Sequence, residues 1–313
     1  MKHRELAWSV IGIGAVAISA YLLYREVRSL SLDDIGDSFD AITWKDWTLA
    51  VFGTLMAYGA LAWYDRIAIM HLGKRISWLF ITLTSFTTYA LSHNIGASVL
   101  SGAVVRYRAY STKGLSAQEV GVLVVFCSFT FALGTVLAAG VVLLLEPSLI
   151  DRVTDVPSWI GFVLGLVLVG LCGLYLLGSW LHFPPWQIGR FHVHYPRLGV
   201  AVRQLFAGPL ELAGAAAIIY FTLPEVGNPG YIAVLGVFIG SFAIALLSHA
   251  PGGLGVLEVA FLAAMPEMDP ADVLAALIVF RILYLLVPFA LSMLIVLGFE
   301  VSGRRATTKT ADG

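Results

Sequence analysis

Residues 159–180 have the sequence WIGFVLGLVLVGLCGLYLLGSW. This stretch contains no charged residue and is slightly longer than the about 20 residues that an α-helix needs to cross the hydrocarbon core of a bilayer. The rest of the chain is similar, since 59% of its 313 residues are hydrophobic, only 12% are charged, and the mean hydropathy is +0.87. A soluble domain carries about twice that share of charged residues. The sequence therefore predicts an all-α, polytopic membrane protein.

Eight segments, including this one, are apolar over about the length of one span. They are residues 6–24, 47–64, 76–91, 120–145, 159–180, 205–223, 231–247 and 273–299. The first is interpreted as a span, because a signal peptide, the alternative, has a shorter apolar core and a small-residue cleavage site. Residues 95–105 and 254–265 are apolar over only about half a span, and each is entered through a glycine-rich break.

Lysine and arginine residues indicate the orientation of these segments, because they accumulate next to span ends on the cytoplasmic side. If residues 95–105 and 254–265 fold back instead of crossing, most of the 19 basic residues lie on the side of both termini. A simple crossing by residues 95–105 would instead place Arg106, Arg108 and Lys113 outside. We therefore predict about eight transmembrane helices, two re-entrant half-helices, and cytoplasmic N- and C-termini.

Composition also excludes several classes of function. A net charge of −1 leaves no extended basic surface for nucleic acid. Cys127 and Cys172 lie inside apolar runs, away from any cluster with zinc-ligand spacing, so we expect neither a metal site nor a structural disulfide. No phosphate-binding loop of the Gly-x-x-x-x-Gly-Lys-Ser/Thr type is present, and no cofactor is expected. Any transport would be downhill, proton-coupled or driven by a partner.

The two halves of the chain, about residues 1–150 and 151–300, share a pattern within one transmembrane domain that spans residues 1–313. Residues 91–93 and 247–249 both read Leu-Ser-His, and each triplet precedes a glycine-rich break. The first half starts inside and the second outside, as in inverted-repeat transporters, which bind substrate near broken helices at the membrane midplane. The alternative is a chance similarity of apolar runs. Residues 301–313 form a short polar tail.

The second break has the sequence Pro251-Gly252-Gly253-Leu254-Gly255, and Glu258 lies in the first turn of the helix that follows. The first N–H groups of a helix that begins inside the membrane have no partner in lipid and favour an anion such as phosphate. His249, Gly252, Gly253, Gly255 and Glu258 are therefore candidate residues of a substrate path. The simpler interpretation is that Glu258 caps its own helix and that His249 is a satisfied helix-end residue.

Ionisable residues inside a bilayer are costly and are usually functional. Glu211, Glu258 and Arg281 all lie in predicted membrane segments, and Arg281 shares a helical face with Tyr284 and Pro288 by i, i+3, i+7 spacing. We expect Arg281 to pair with Glu258 or with Glu211. The pair either gates a polar path for a lipid headgroup or is purely structural.

Residues Arg106, Tyr107, Arg108 and Tyr110 directly follow the first predicted half-helix. Arginine side chains match the geometry of phosphate oxygens, and basic residues at this depth attract anionic headgroups. We expect Arg106 and Arg108 to gather an anionic headgroup. Ordinary positive-inside anchoring is the alternative.

Four sequence blocks stand out along the chain. They are WYDR at residues 63–66 followed by Gly73-Lys74, GAVVRYRAY at 102–110 followed by Lys113-Gly114-Leu115, HAPGGLGVLE at 249–258, and FRILY at 280–284 followed by Pro288. Together they resemble the lysylphosphatidylglycerol synthase transmembrane-region family, from about the second span onward. The chain is similar to the stand-alone inner-membrane members of the YbhN type and to the flippase half of the multiple peptide resistance factor.

This resemblance implies a flippase or scramblase that moves an anionic or modified phospholipid between the leaflets of the bacterial inner membrane. The amides of residues 252–255 would receive the phosphate, and Arg281 with Glu258 would gate the path. The two-part relatives carry a soluble aminoacyl-transferase domain after the membrane region. This chain ends at Gly313, and its longest loop, residues 25–46, is too short for such a domain. We therefore expect no lysine transfer and no catalytic residue.

Two other functions stay open at this point. One is an enzyme that modifies a lipid inside the membrane, with Glu258 or His249 as acid or base. Metal motifs and a nucleophile elbow are absent from the sequence, and their absence disfavours such an enzyme. The other is a non-transporting membrane partner of a lipid-synthesis enzyme. The expected partners are thus a membrane phospholipid, a lipid-synthesis enzyme or further copies of this chain.

Overall fold

The computed structural model describes residues 32–95, 98–152, 156–183, 186–188, 191–193, 196–248 and 255–297. Within these ranges the chain forms ten α-helices, a 3-10 helix (Pro147–Arg152) and a small antiparallel hairpin of strands β1 (Trp186–Ile188) and β2 (Phe191–Val193). The helices are α1 (Leu32–Asp40), α2 (Trp44–His71), α3 (Trp78–Ile95), α4 (Ser98–Ser111), α5 (Ala117–Leu145), α6 (Ser158–Trp180), α7 (Leu198–Thr222), α8 (Tyr231–Ser248), α9 (Val256–Ala264) and α10 (Pro270–Phe280). Helix α10 continues through a π-helical turn (Arg281–Leu286) to Leu297.

Four of the described helices are long and apolar enough to cross a membrane. They are Ala117–Leu145, Ser158–Trp180, Leu198–Thr222 and Pro270–Leu297, and a shorter apolar helix covers Tyr231–Ala245. The predicted all-helical membrane protein is therefore confirmed, with the small hairpin as an addition that the sequence did not indicate. The predicted first span, residues 6–24, and the polar tail lie outside the described residues.

Helix α2 is longer than the predicted span over residues 47–64. It begins after a capping box, in which the Asp46 carboxylate accepts a hydrogen bond from the Thr43 backbone N–H at 3.0 Å and Thr43 Oγ1 accepts from the Asp46 N–H at 3.4 Å. It continues through Asp65 and Arg66 and ends before Gly73, whose positive φ of 68° favours glycine. Asp65 and Arg66, which lie beyond the span predicted from hydropathy, are thus part of this helix.

Helix α4 extends beyond the half-length segment that is predicted over residues 95–105. The helix runs from Ser98 to Ser111 and ends before Gly114, which has a φ of +81°. Arg106, Tyr107, Arg108 and Tyr110 therefore lie on this helix rather than in a loop that follows it. Hydropathy misses this extension because one face of the helix carries buried polar groups. In the same way, α7 begins at Leu198, several residues before the predicted span.

Helix α7 is the centre of the bundle and packs against α2, α5, α6, α8 and α10. Glycines allow two of these crossings. A Cβ atom on Gly214 would lie 2.6 Å from the backbone nitrogen of Ala57 on α2, and one on Gly134 of α5 would overlap the Cα of Gly208. Small residues at such crossings let helix backbones approach closely in a membrane, where packing rather than the hydrophobic effect drives association. By contrast, α6 exposes many apolar side chains, among them Leu166, Val167, Leu171 and Leu174.

Candidate functional site

A first group of buried polar side chains, the Asp65 cluster, joins α2 to α3, α4 and α5. The Arg106 guanidinium bonds both carboxylate oxygens of Asp65, with NH2 to Oδ1 at 2.7 Å and Nε to Oδ2 at 3.3 Å. Tyr110 donates its hydroxyl to Oδ2 at 2.8 Å, and Cys127 Sγ lies 3.5 Å from Oδ1. The Arg106 guanidinium also lies over the Tyr89 ring, 4.8 Å from its centroid. This bidentate, hydrogen-bonded arrangement satisfies a buried charge pair.

The burial of Arg106 is a feature that the sequence did not indicate. The arginine is only 5% exposed and faces Asp65. Tyr110 is fully buried beside it. Tyr107 and Arg108 are exposed on another face of α4, because residues two apart on a helix do not point the same way. Arg106 and Arg108 therefore lie in different surroundings, and their expected role in gathering a headgroup stays a prediction.

The second group, the Arg281 cluster, lies between α9, α7 and the π turn of α10. Arg281 donates to Oε1 of Glu258 from both Nε and NH2, each at 2.6 Å. The other carboxylate oxygen, Oε2, accepts the Gly255 backbone N–H at 2.9 Å at the start of α9. Glu258 thus caps its own helix and also pairs with Arg281, which is one of the two partners expected for this arginine. The ion pair is not completely buried, since the Arg281 and Glu258 side chains are 15% and 11% exposed.

The Glu211 carboxylate extends this cluster into the interior. Its Oε1 accepts the Tyr284 hydroxyl at 2.5 Å, and the Tyr284 ring stacks on His93 and on Phe280 at centroid distances of 5.4 Å and 5.1 Å. Among the residues that the structure describes, no hydrogen-bond partner reaches Oε2 of Glu211 or Nδ1 of His93, and both atoms are buried. Buried polar atoms are nearly always paired, so an unpaired carboxylate oxygen and ring nitrogen distinguish this site from ordinary helix packing.

The π turn at Arg281–Leu286 sets the direction of both Arg281 and Tyr284. Side chains from neighbouring helices hold its backbone carbonyls. The Tyr58 hydroxyl donates to the Tyr284 carbonyl oxygen at 2.9 Å, and Asn94 Nδ2 donates to that of Leu285 at 3.1 Å. Turns of this kind are frequent at functional sites, and inside a membrane their loosened carbonyls need such donors. Helical spacing in the sequence does not reveal this turn.

The predicted site residues therefore fall into three sets. Those that the structure brings into the Arg281 cluster are Glu211, Gly255, Glu258, Arg281 and Tyr284. Those that lie elsewhere are Arg106, Tyr107, Arg108 and Tyr110. His249, Gly252 and Gly253 lie outside the described residues.

Sequence reasoning missed Asp65, Tyr58 and His93 as parts of these clusters. An acidic residue directly after an apolar run, as at Asp65, could have been recognised as a partner for a membrane arginine. For Tyr58 and His93 no signal in the sequence distinguishes them from packing residues. Within the described ranges, no group of three or more His, Cys, Asp or Glu side chains is arranged to hold a metal ion.

Comparison with known proteins shows the family to which this chain belongs. Residues 12–292 match the family described as the lysylphosphatidylglycerol synthase TM region. An uncharacterized protein of Synechocystis, slr0712, is 25% identical over 100% of this chain and 97% of its own length. The inner membrane protein YbhN of Escherichia coli is 26% identical over 83% of this chain and 82% of its own. The phosphatidylglycerol lysyltransferase of Staphylococcus aureus is 24% identical over 88% of this chain, which covers only 32% of that enzyme. The chain belongs to the lysylphosphatidylglycerol synthase transmembrane-region family.

Proposed function

We propose that this protein is a flippase or scramblase that moves an anionic or modified phospholipid between the leaflets of the bacterial inner membrane. One observation carries the proposal. An arginine and a glutamate, Arg281 and Glu258, pair at a helix break among apolar helices, and the arginine remains partly exposed. Charged residues in such a setting are costly to keep, and they mark pathways for polar groups. The membership of the family, whose relatives include an inner membrane protein and a phosphatidylglycerol enzyme, supports a lipid as the cargo.

The ion pair can act as a gate because a phosphate and a carboxylate present similar oxygens to a guanidinium. Oε1 of Glu258 accepts from Arg281, while Oε2 accepts the Gly255 N–H. A lipid phosphate that reaches Arg281 replaces Oε1, and Glu258 stays anchored to its own helix end. When the phosphate leaves, Oε1 returns and the path closes. The lipid tails stay in the bilayer throughout.

The arrangement in the membrane forms part of this proposal. We propose about eight spans, two re-entrant segments, an inverted repeat of the two halves, and both termini in the cytoplasm. Helix α9, Val256–Ala264, supports one re-entrant segment, since 9 residues span about 14 Å, roughly half of the hydrocarbon core. The concentration of lysine and arginine on one side supports the orientation.

The test is leaflet exchange in proteoliposomes that contain fluorescent phospholipids with anionic, zwitterionic or lysine-bearing headgroups. A membrane-impermeant quencher reports the lipid exposed outside. We expect exchange that depends on the headgroup and that falls at least tenfold in Arg281→Ala. Arg197→Ala is the matched control, since Arg197 is an exposed arginine at the start of α7, away from the Arg281 cluster. Wild-type exchange in Arg281→Ala would contradict the gating role.

A second candidate is a membrane partner of a lipid-synthesis enzyme. It is favoured by one observation, that the Staphylococcus aureus relative is a phosphatidylglycerol lysyltransferase of which this chain matches about a third. Co-purification of a lipid-synthesis enzyme, with no exchange above empty liposomes, would support this candidate. A new product from labelled lipids and purified protein would instead favour an intramembrane lipid-modifying enzyme. Cross-linking in the membrane would show whether further copies of the chain assemble.

A further inference from the structure

An open groove of about 560 Å³ lies on the surface of α2 and α7, outside both clusters of buried charges. Its apolar part is lined by Met56, Gly59 and Ala60 of α2 and by Leu210 of α7. A Cβ atom on Gly59 would meet nothing within 4 Å, so the floor of the groove is open because this position has no side chain. The volume is in the range of ligand sites in proteins. We call this feature the Arg66 groove, after the arginine at its end.

Two arginines lie at one end of the Arg66 groove, Arg66 of α2 and Arg203 of α7. Each bonds a backbone carbonyl oxygen, Arg66 that of Ile76 and Arg203 that of Gly199, both at 3.1 Å. No carboxylate in the described part of the chain forms an ion pair with either arginine. Both arginine side chains therefore bond backbone carbonyl oxygens, but no carboxylate among the described residues neutralises their charges. This arrangement suits an anion with several oxygen atoms.

The same end of the groove continues into a second, basic cavity of about 590 Å³. Arg66 and Met70 line both cavities, and the second one adds Lys74 and Arg75. Of these, Lys74 is paired with Glu119 at 2.8 Å. Basic pockets beside membrane helices are typical binding places for anionic lipid headgroups. The positive charge therefore increases from the apolar floor towards this end of α2.

The length of the groove matches one leaflet. From Met56 to Arg66, α2 rises by about 15 Å at 1.5 Å per residue, which is half of the about 30 Å hydrocarbon core. Trp63 and Trp78 flank the groove near its arginine end, and tryptophan prefers the level of the headgroups. The Arg66 guanidinium lies over the Trp78 ring, 5.8 Å from its centroid. An acyl chain along the floor would thus place a phosphate at the arginines.

We propose that the Arg66 groove is a binding site for an anionic membrane phospholipid. One acyl chain lies over Gly59 and Ala60, and the phosphate bonds Arg66 and Arg203. The site is separate from the Arg281 cluster and goes beyond the proposed transport, since a bound lipid at this position needs no movement between leaflets.

The test is native mass spectrometry of the full chain released from detergent micelles, with phosphatidylglycerol and phosphatidylcholine of identical acyl chains as probes. We expect one phosphatidylglycerol to bind at least tenfold more tightly than phosphatidylcholine. The double variant Arg66→Gln, Arg203→Gln should lower the affinity for phosphatidylglycerol at least tenfold. Arg197→Gln, an exposed arginine that lines neither cavity, is the matched control and should leave binding unchanged.

A second pair of variants tests the acyl-chain part. The Cβ atom of Gly59→Leu meets nothing within 4 Å, so the protein should fold. The added side chain covers the floor, so the bound lipid should be lost. Gly170→Leu is its control, because Gly170 is also helical, exposed and without neighbours within 4 Å, but lies on α6. Arg281→Ala should bind phosphatidylglycerol like the wild type, which separates this site from the transport path.

Three results would overturn the proposal. They are wild-type affinity in the double arginine variant, wild-type affinity in Gly59→Leu, or equal affinity for the two lipids. Water-soluble glycerol phosphate is added in excess as a further arm. Because it has no acyl chain, we expect it not to displace the lipid, and full displacement would assign the site to free phosphate compounds instead.

Discussion

Asp65 and Arg106, which are 41 residues apart in the chain, form a bidentate ion pair between α2 and α4 with a shortest distance of 2.7 Å. Asp65 is 0% and Arg106 is 5% exposed. The pair replaces the interaction with water that both charges lose on burial. It therefore ties α4 to the bundle.

The first prediction concerns this pair. Arg106→Ala leaves the Asp65 carboxylate buried without its cation, and such a loss costs about 3–5 kcal/mol. We expect the free energy of unfolding in detergent to fall by that amount, with a lower Tm. Arg106→Lys should be destabilising too, because an ammonium cannot bond both oxygens in the same geometry. Arg108→Ala, an exposed change on the same helix, is the control, and an equal loss there would contradict the prediction.

The second prediction separates the two roles of Glu258. Glu258→Gln keeps a side-chain oxygen that can accept the Gly255 N–H but removes the charge opposite Arg281, whereas Glu258→Ala removes both. We expect both variants to lose leaflet exchange at least tenfold, while Glu258→Gln stays closer to the wild type in thermal stability. Exchange at the wild-type rate in Glu258→Gln would show that the charge of the pair is not needed.

The third prediction concerns the hydroxyl of Tyr284. Tyr284→Phe removes the 2.5 Å hydrogen bond to Glu211 and leaves that carboxylate without a donor from this ring. A buried polar group that loses its partner costs about 1–3 kcal/mol. The difference should be visible in chemical or thermal unfolding. Glu211→Gln in the same background should recover part of the loss, because a neutral amide is less costly to bury than a charge.

The fourth prediction concerns the π turn. Tyr58→Phe removes the donor to the Tyr284 carbonyl oxygen, so the turn loses one of its two side-chain supports. We expect a loss of stability of about 1–3 kcal/mol and slower leaflet exchange, since Arg281 begins this turn. Tyr220→Phe is the control, because Tyr220 is a partly buried tyrosine on α7 whose ring packs against Phe221 and Tyr231. Equal effects in both variants would contradict a specific role for the Tyr58 hydroxyl.

The fifth prediction concerns the helix crossing of α5 and α7. A methyl group at Gly134 would overlap the Gly208 backbone, so Gly134→Ala must push the two helices apart. Overpacking of this kind costs about 1–3 kcal/mol, measured as a lower Tm in detergent. Gly173→Ala on α6, where a Cβ atom meets nothing within 4 Å, should be close to neutral.

Much of the fold could be predicted from the sequence, because long apolar runs have few solutions in a membrane. Lipid offers no hydrogen-bond partners, so an apolar segment of span length must be helical. The spans predicted on this ground over residues 120–145, 159–180 and 205–223 lie within or close to the helices Ala117–Leu145, Ser158–Trp180 and Leu198–Thr222. The ends of α2 and α4 were not, because hydropathy stops at a charged residue, whereas Asp65 and Arg106 neutralise each other only when the two helices pack.

The candidate site, like the fold, could be predicted only in part from the sequence. Composition and helix length alone determined that this is a helical membrane protein and that Glu211, Glu258 and Arg281 lie in its apolar segments. Only the tertiary structure decided that Glu258 rather than Glu211 bonds Arg281, and that Tyr284 bonds Glu211. It also showed that Arg281 and Tyr284 both lie in a π turn, which sets the direction of their side chains. The physical reason is that pairing requires atoms within about 3 Å. Such distances depend on how helices cross, which hydropathy does not encode.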